Sequence, residues 1–128
     1  MPNDVAQGSA TINRAGSQPF IQVYDSPNNF GVFTLSLHDA AGATLALLAT
    51  NANSFDTPQV RYVLPLLAAQ AIGKVIVCRV TLVPAGAAKP LNFTLNVVQD
   101  DQIVDDGLAR LSLDSNQPEN AAIRVILK

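Results

Sequence analysis

Hydrophobic and polar residues alternate along most of the chain with the two-residue period that is typical of β-strands. Within 33–38, for example, Phe and Leu occupy the odd positions, whereas Thr, Ser and His occupy the even positions. Six of the eight prolines lie between the hydrophobic runs, which suits strands because proline cannot donate to a strand ladder. The alternation predicts strands at 8–14, 20–25, 30–38, 43–50, 59–64, 74–83, 91–99, 108–114 and 121–127.

The segment 65–73 departs from this alternation. Pro65 suits the first turn of a helix, and Gly73 suits the position just beyond a helix end. We therefore predict one short helical crossover near 65–72, which passes between two sheets.

Eight or nine short strands with regular turn signals are typical of a two-sheet β fold. We predict an all-β fold, namely an antiparallel, jelly-roll-like β-sandwich, with a closed β-barrel as the alternative. A length of 128 residues suits one domain, 1–128, which buries roughly two thirds of its unfolded surface. The run 74–83 is hydrophobic on both faces, so we predict that it is a central strand.

Alternating strand directions would divide the loops between two ends of the sandwich. One end would collect 15–19, the turn after His38, the crossover and the acidic residues near 100–106. The other end would collect the asparagine-rich loops at 25–29, 51–58, 84–90 and 115–120. A strand at Ile103–Val104 would reverse this division for everything that follows it.

Charge is sparse, which excludes several classes of partner. Charged residues make up 14% of the chain, against roughly 25% in typical globular domains. The eight Lys and Arg residues are scattered singly and the net charge is −2, whereas nucleic-acid binding depends on clustered cations. No hydrophobic run approaches the roughly 18 residues of a membrane span. We expect neither nucleic acid nor a membrane as a partner.

The first residues contain neither the basic region nor the hydrophobic region of a secretory signal. Cys78 is the single cysteine, so an intramolecular disulfide cannot form. We expect synthesis in the cytoplasm without a signal peptide, with a virion or an extracellular assembly as the candidate destination.

Four of the ten acidic residues fall within seven positions, directly before Gly107. Carboxylate oxygens are the ligands that Ca²⁺ prefers, although the spacing does not match an EF-hand loop. Asp39 is expected at the same end of the sandwich. The candidate metal ligands are therefore Asp39, Asp100, Asp101, Asp105 and Asp106. The alternative is that these aspartates form tight turns, for which Asp is favoured.

Few residues could support catalysis. His38, Cys78 and Glu119 are the sole residues of their types. A Cys–His pair would require the two side chains to be adjacent, but Cys78 lies in the most hydrophobic run and is expected to be buried. No glycine-rich phosphate loop and no nucleophile elbow is present. We therefore expect that the protein is not an enzyme and has no cofactor apart from the candidate Ca²⁺.

These observations favour a non-catalytic structural or protein-interaction module, such as a self-assembling subunit of a virion, decoration or fibre protein. With 48% hydrophobic residues and few charges, the chain suits burial against copies of itself or against a protein partner. The alternative is a calcium-dependent or glycan-binding lectin-like module, which would use the acidic or the asparagine-rich end. Glycan sites usually present exposed aromatic side chains, and only Phe55 lies in a predicted loop.

Overall fold

The computed structural model describes residues 4–25, 29–53, 61–84, 91–113 and 119–128. In chain order, its elements are β1 (Asp4–Ala10), β2 (Phe20–Asp25), β3 (Asn29–His38), β4 (Thr44–Asn53), β5 (Tyr62–Val63), α1 (Ala68–Ala71), β6 (Val75–Pro84), β7 (Leu91–Gln99), β8 (Gln102–Ile103), β9 (Arg110–Leu113) and β10 (Glu119–Leu127). The helix α1 lies within the predicted crossover. No helix in these ranges is long and apolar enough to cross a membrane.

The strands form two sheets. Sheet A has the order β1-β10-β6-β3-β4, and sheet B has the order β5-β2-β7, with β8 and β9 pairing to successive parts of the far side of β7. The predicted all-β sandwich is confirmed. The two sheets stay separate in the described residues, so the closed-barrel alternative is wrong. All the strand pairings in these ranges are antiparallel except that of β1 with β10, which is parallel.

The strand β6 is central, as its sequence predicts, because it lies between β10 and β3. Its residues Ile76, Cys78 and Val80 point into the core, where they are almost fully buried. Burial in this apolar environment raises the pKa of the Cys78 thiol to about 12. The prediction of a buried structural thiol is therefore confirmed.

The first strand lies at 4–10 and not at the predicted 8–14. Its core-facing residues are the small Ala6, Gly8 and Ala10, so its hydrophobic signal is weak. Gly8 lies at a close approach, because a Cβ there would be 2.8 Å from Oδ1 of Asp106 and 3.1 Å from the backbone nitrogen of Ala109. After β1, the N–H of Ile12 donates to the carbonyl of Lys128 at 2.8 Å, and the side chain of Ile12 is buried in the hydrophobic core.

The described loops divide between the two ends as predicted. The C-terminal ends of β1, β3, β7 and β10 share one end with the N-terminal ends of β2, β4 and β6. β8 is a short extra strand, but β8 and β9 both run antiparallel to β7, so the division is not reversed. The asparagine-rich loops include 26–28, 54–60, 85–90 and 114–118, so most of the candidate glycan site lies outside the described residues.

Candidate functional site

The acidic segment, residues 100–107, begins in sheet B and then crosses to the edge of sheet A. β8 pairs with the end of β7, after which the chain contacts the C-terminal end of the outer edge of β1. There the N–H of Thr11 donates to the carbonyl of Val104 at 3.1 Å, and the N–H of Asp106 donates to the carbonyl of Ser9 at 2.8 Å. The acidic segment therefore joins one edge of each sheet and closes that side of the sandwich.

Asp105 completes the hydrogen bonding of β7 at the point where β8 and β9 diverge. The N–H of Val97 donates to its Oδ2 at 2.8 Å, and the N–H of Gly107 donates to its Oδ1 at 2.9 Å. Val97 is fully buried, so water cannot satisfy its N–H. The carboxylate of Asp105 thus replaces the backbone carbonyl that a continuous edge strand would supply.

Asp100 and Asp101 form the two-residue turn between β7 and β8. Both have positive φ, 53° and 61°, and Gln99 pairs directly with Gln102 across the turn. Positive φ at both central residues is the requirement of a type I′ hairpin turn, and Asp tolerates it better than most residues. The turn interpretation of this Asp pair accounts for its backbone geometry.

Two of these carboxylates also hold the N-terminal region. Asp100 accepts from the N–H of Ser17 at 3.0 Å through Oδ1. Asp106 accepts from the N–H and the hydroxyl of Ser9 at 3.1 and 3.2 Å through Oδ2, and from the N–H of Leu108 at 3.1 Å through Oδ1. Each carboxylate is therefore engaged by donors of its own loop or of the segment opposite it.

Asp39 serves a different turn. Its Oδ1 accepts from the N–H groups of Ala41 and Ala43, both at 2.9 Å, and so closes the β3–β4 hairpin. The described residues, which include all five candidate ligands, contain no group of three or more His, Cys, Asp or Glu placed to hold a metal ion. The aspartates share one end of the molecule, but four of them already accept from backbone N–H groups of separate sites, namely Asp39, Asp100, Asp105 and Asp106. Calcium binding stays a prediction.

Gln99 belongs to the same end of the molecule, although its sequence position alone did not mark it as a site residue. Its side chain is 2% exposed and binds the loop after β1: Oε1 accepts from the N–H of Asn13 at 2.8 Å, and Nε2 donates to the carbonyls of Asn13 and Ser17 at 2.8 and 2.9 Å. The alternating pattern of β7 could have identified this residue, because Gln99 follows Phe93, Leu95 and Val97 at the inward-facing positions. A polar residue at an inward position implies a buried hydrogen-bonding role.

Acid is expected to weaken the attachment of the acidic segment. The N–H of Ser17 lowers the pKa of Asp100, and the N–H of Leu108, followed by that of Ser9, lowers the pKa of Asp106. A carboxyl group with a lower pKa in the folded state adds stability above its unfolded pKa of about 3.9, and this is lost as the pH falls through the folded value. We expect a melting temperature that is nearly constant from about pH 7 to 5 and falls below about pH 4.

Calorimetry of the wild type and of the variant Asp100→Asn/Asp106→Asn across this range tests that expectation. The variant should lose part of the acid-dependent decrease, because the two groups that take up protons are absent. An acid-dependent decrease of equal size in both proteins would contradict the role given to these two carboxylates.

His38 and Cys78 lie on opposite faces of sheet A. Cys78 pairs with Leu35 and points into the core, whereas His38 faces outward and pairs with Val75. The ring of His38 is held outside by the hydroxyl of Ser36 at 2.7 Å from Nε2 and by the carbonyl of Gly42 at 3.2 Å from Nδ1. The two side chains therefore do not form a Cys–His pair.

The outer edge of β4 is a candidate interface. β4 is ten residues long and contains no charged residue, proline or glycine, and no described residue pairs with its outer edge. Leu45 and Leu47 on this strand are 47% and 64% exposed. Its register against β3 shifts at three places, so the strand is irregular, but it lacks the charges that normally protect an edge.

No protein-family model, curated protein or solved structure matches this chain.

Proposed function

We propose that this chain is a non-catalytic structural module that self-associates through the outer edge of β4, as a subunit of an assembly of the virion, decoration or fibre kind. The observation that carries this proposal is the contrast between that edge and the other sheet edges in the described residues. The edge of β1 is covered by the acidic segment at Ser9 and Ala10, the strand begins with the charged Asp4, and the edges of sheet B are strands of two to four residues. Short or covered edges resist pairing with other chains, whereas a long uncharged edge favours it.

A second copy of the chain is the occupant that suits this edge. Because β4 is uncharged, two copies that pair antiparallel place no like charges opposite each other. Such pairing is two-fold symmetric, so one strand supplies both halves of the interface. It would satisfy backbone groups along the edge, cover part of the exposed Leu45 and Leu47, and extend sheet A from five strands across both copies.

Sedimentation equilibrium over a wide concentration range tests the proposal. We expect the wild type to show reversible association above the monomer mass of 13.5 kDa. Leu47→Lys should remain monomeric, because a charge on an edge strand must lose its hydration when a second strand pairs beside it. Circular dichroism should show the same strand content for both proteins.

Leu108→Lys is the matched control. Leu108 is 61% exposed, close to the 64% of Leu47, but it lies beside the acidic segment and not on β4. The same substitution there should leave association unchanged. A wild type that is monomeric at every concentration, or equal association of wild type and Leu47→Lys, would refute the proposal.

A further inference from the structure

A groove of about 290 Å³ lies on the outer face of sheet A, across β3, β6 and β10. Val77 of β6 and Ala122 of β10 contribute small apolar side chains to its lining. The β3–β4 hairpin, with His38 and Gly42, lines it at one end, and Arg79 and Arg124 also line it. The groove is therefore a concave apolar surface bordered by cationic side chains.

The two arginines are placed to reach one ligand. Arg79 pairs with Ala122 across the β6–β10 ladder, and Arg124 pairs with Val77, so the arginines are diagonal neighbours. Diagonal neighbours lie about 7–8 Å apart in an antiparallel pair, which long side chains span readily. Both face outward, on the side opposite the core residues of the same two strands, and both are exposed.

Within the described residues, neither guanidinium has an acidic partner. The outward positions of β3, β6 and β10 in these ranges contain no Asp or Glu. Asp39 is the acidic residue of the lining, and its Oδ1 already accepts from two backbone N–H groups of the hairpin. Two residues of like charge thus occupy neighbouring positions on a chain whose net charge is −2. An anion between them would remove their repulsion.

The hairpin end of the groove is held in place before any ligand arrives. The carboxylate of Asp39 closes the hairpin, and the ring of His38 is held between Ser36 and the carbonyl of Gly42. A ligand that enters the groove would therefore not have to order the hairpin part of its wall, which lowers the entropic cost of binding.

We infer that this groove binds a phosphate group between Arg79 and Arg124. The planar guanidinium donates two parallel hydrogen bonds to a phosphate, and two such groups match the charge of a phosphate dianion. A monocarboxylate carries one charge and can be neutralised by one arginine, so it would bind more weakly. This inference does not depend on the association through β4.

Amide chemical shifts of the isotope-labelled protein, titrated with inorganic phosphate at constant ionic strength, test the inference. We expect saturating shifts at residues 77–79 and 122–124, and weaker binding of acetate. Arg79→Gln and Arg124→Gln should each weaken phosphate binding about tenfold, as the loss of a charge-assisted hydrogen bond predicts. Arg110→Gln, which changes an exposed arginine on sheet B, should leave binding unchanged.

The same spectra report whether each variant is folded. Repeating the titration in the Leu47→Lys background separates phosphate binding from self-association. Three results would overturn the inference: chemical shifts that do not saturate, equal shifts with chloride, or an Arg110→Gln variant whose phosphate binding weakens as much as that of Arg79→Gln or Arg124→Gln. Each of them would indicate general screening of surface charge by salt.

Discussion

Replacing Phe33 with alanine is expected to lower the free energy of unfolding by about 3–5 kcal/mol, the usual cost of removing a buried aromatic ring. Phe33 is 1% exposed on β3 of sheet A. Its ring makes edge-to-face contacts with Tyr62 and Phe93, at 5.9 and 5.8 Å between ring centroids. Tyr62 and Phe93 belong to β5 and β7 of sheet B, so the ring of Phe33 joins the two sheets directly.

Urea denaturation followed by circular dichroism measures this effect. Since a domain is typically stable by about 5–15 kcal/mol, the variant should lose a large share of its stability. Phe33→Leu should lower the free energy of unfolding by less than Phe33→Ala, because leucine fills more of the volume left by the aromatic ring. Leu108→Ala is the surface control, and its effect should stay within about 0.5 kcal/mol. If Phe33→Ala cost no more than this control, Phe33 would not have the central packing role described.

Replacing Asp105 with alanine is expected to cost about 1–3 kcal/mol, the penalty of leaving a buried donor without a partner. The N–H of Val97 donates to Asp105 at 2.8 Å, and Val97 is fully buried. The N–H of Gly107 would lose its acceptor as well, and with it the turn that leads to β9. Unlike an ordinary surface aspartate, Asp105 should therefore behave as part of the sheet.

Asp105→Asn and Asp101→Asn form a matched pair for this prediction. An asparagine at 105 has one acceptor oxygen, so it can accept from only one of the two N–H groups of Val97 and Gly107. Its NH₂ group, itself a donor, would face the second N–H, so Asp105→Asn should be destabilising. Asp101 is exposed, and asparagine also tolerates its positive φ of 61°, so Asp101→Asn should have little effect. Equal urea midpoints for the two variants would contradict the structural role of Asp105.

The fold class and most strands could be predicted because strand alternation is a local property. The strands at 20–25 and 91–99 match their predicted bounds, and the central position of β6 follows from its two hydrophobic faces. The parallel pairing of β1 with β10 could not be predicted, because it joins the two ends of the chain. Nothing in either strand taken alone specifies that pairing.

In the acidic segment, the local turn could be predicted from the sequence, but the long-range hydrogen bonds could not. The turn at Asp100–Asp101 is local and follows from residue preference. The bonds of Asp106 to Ser9 and of Asp100 to Ser17 connect positions 97 and 83 residues apart, so a single sequence contains no signal for them. The arginine pair of the groove was missed for the same reason, since Arg79 and Arg124 appear isolated until β6 and β10 pair.

Hydrogen–deuterium exchange at low and at high protein concentration tests the β4 interface most directly. Exchange reports the opening of individual backbone amides, so it locates the contact as well as detecting it. We predict that amides of 44–53 become protected as the concentration rises, and that this protection is absent in Leu47→Lys. Association that leaves 44–53 unprotected, or that protects another edge instead, would contradict the proposed interface.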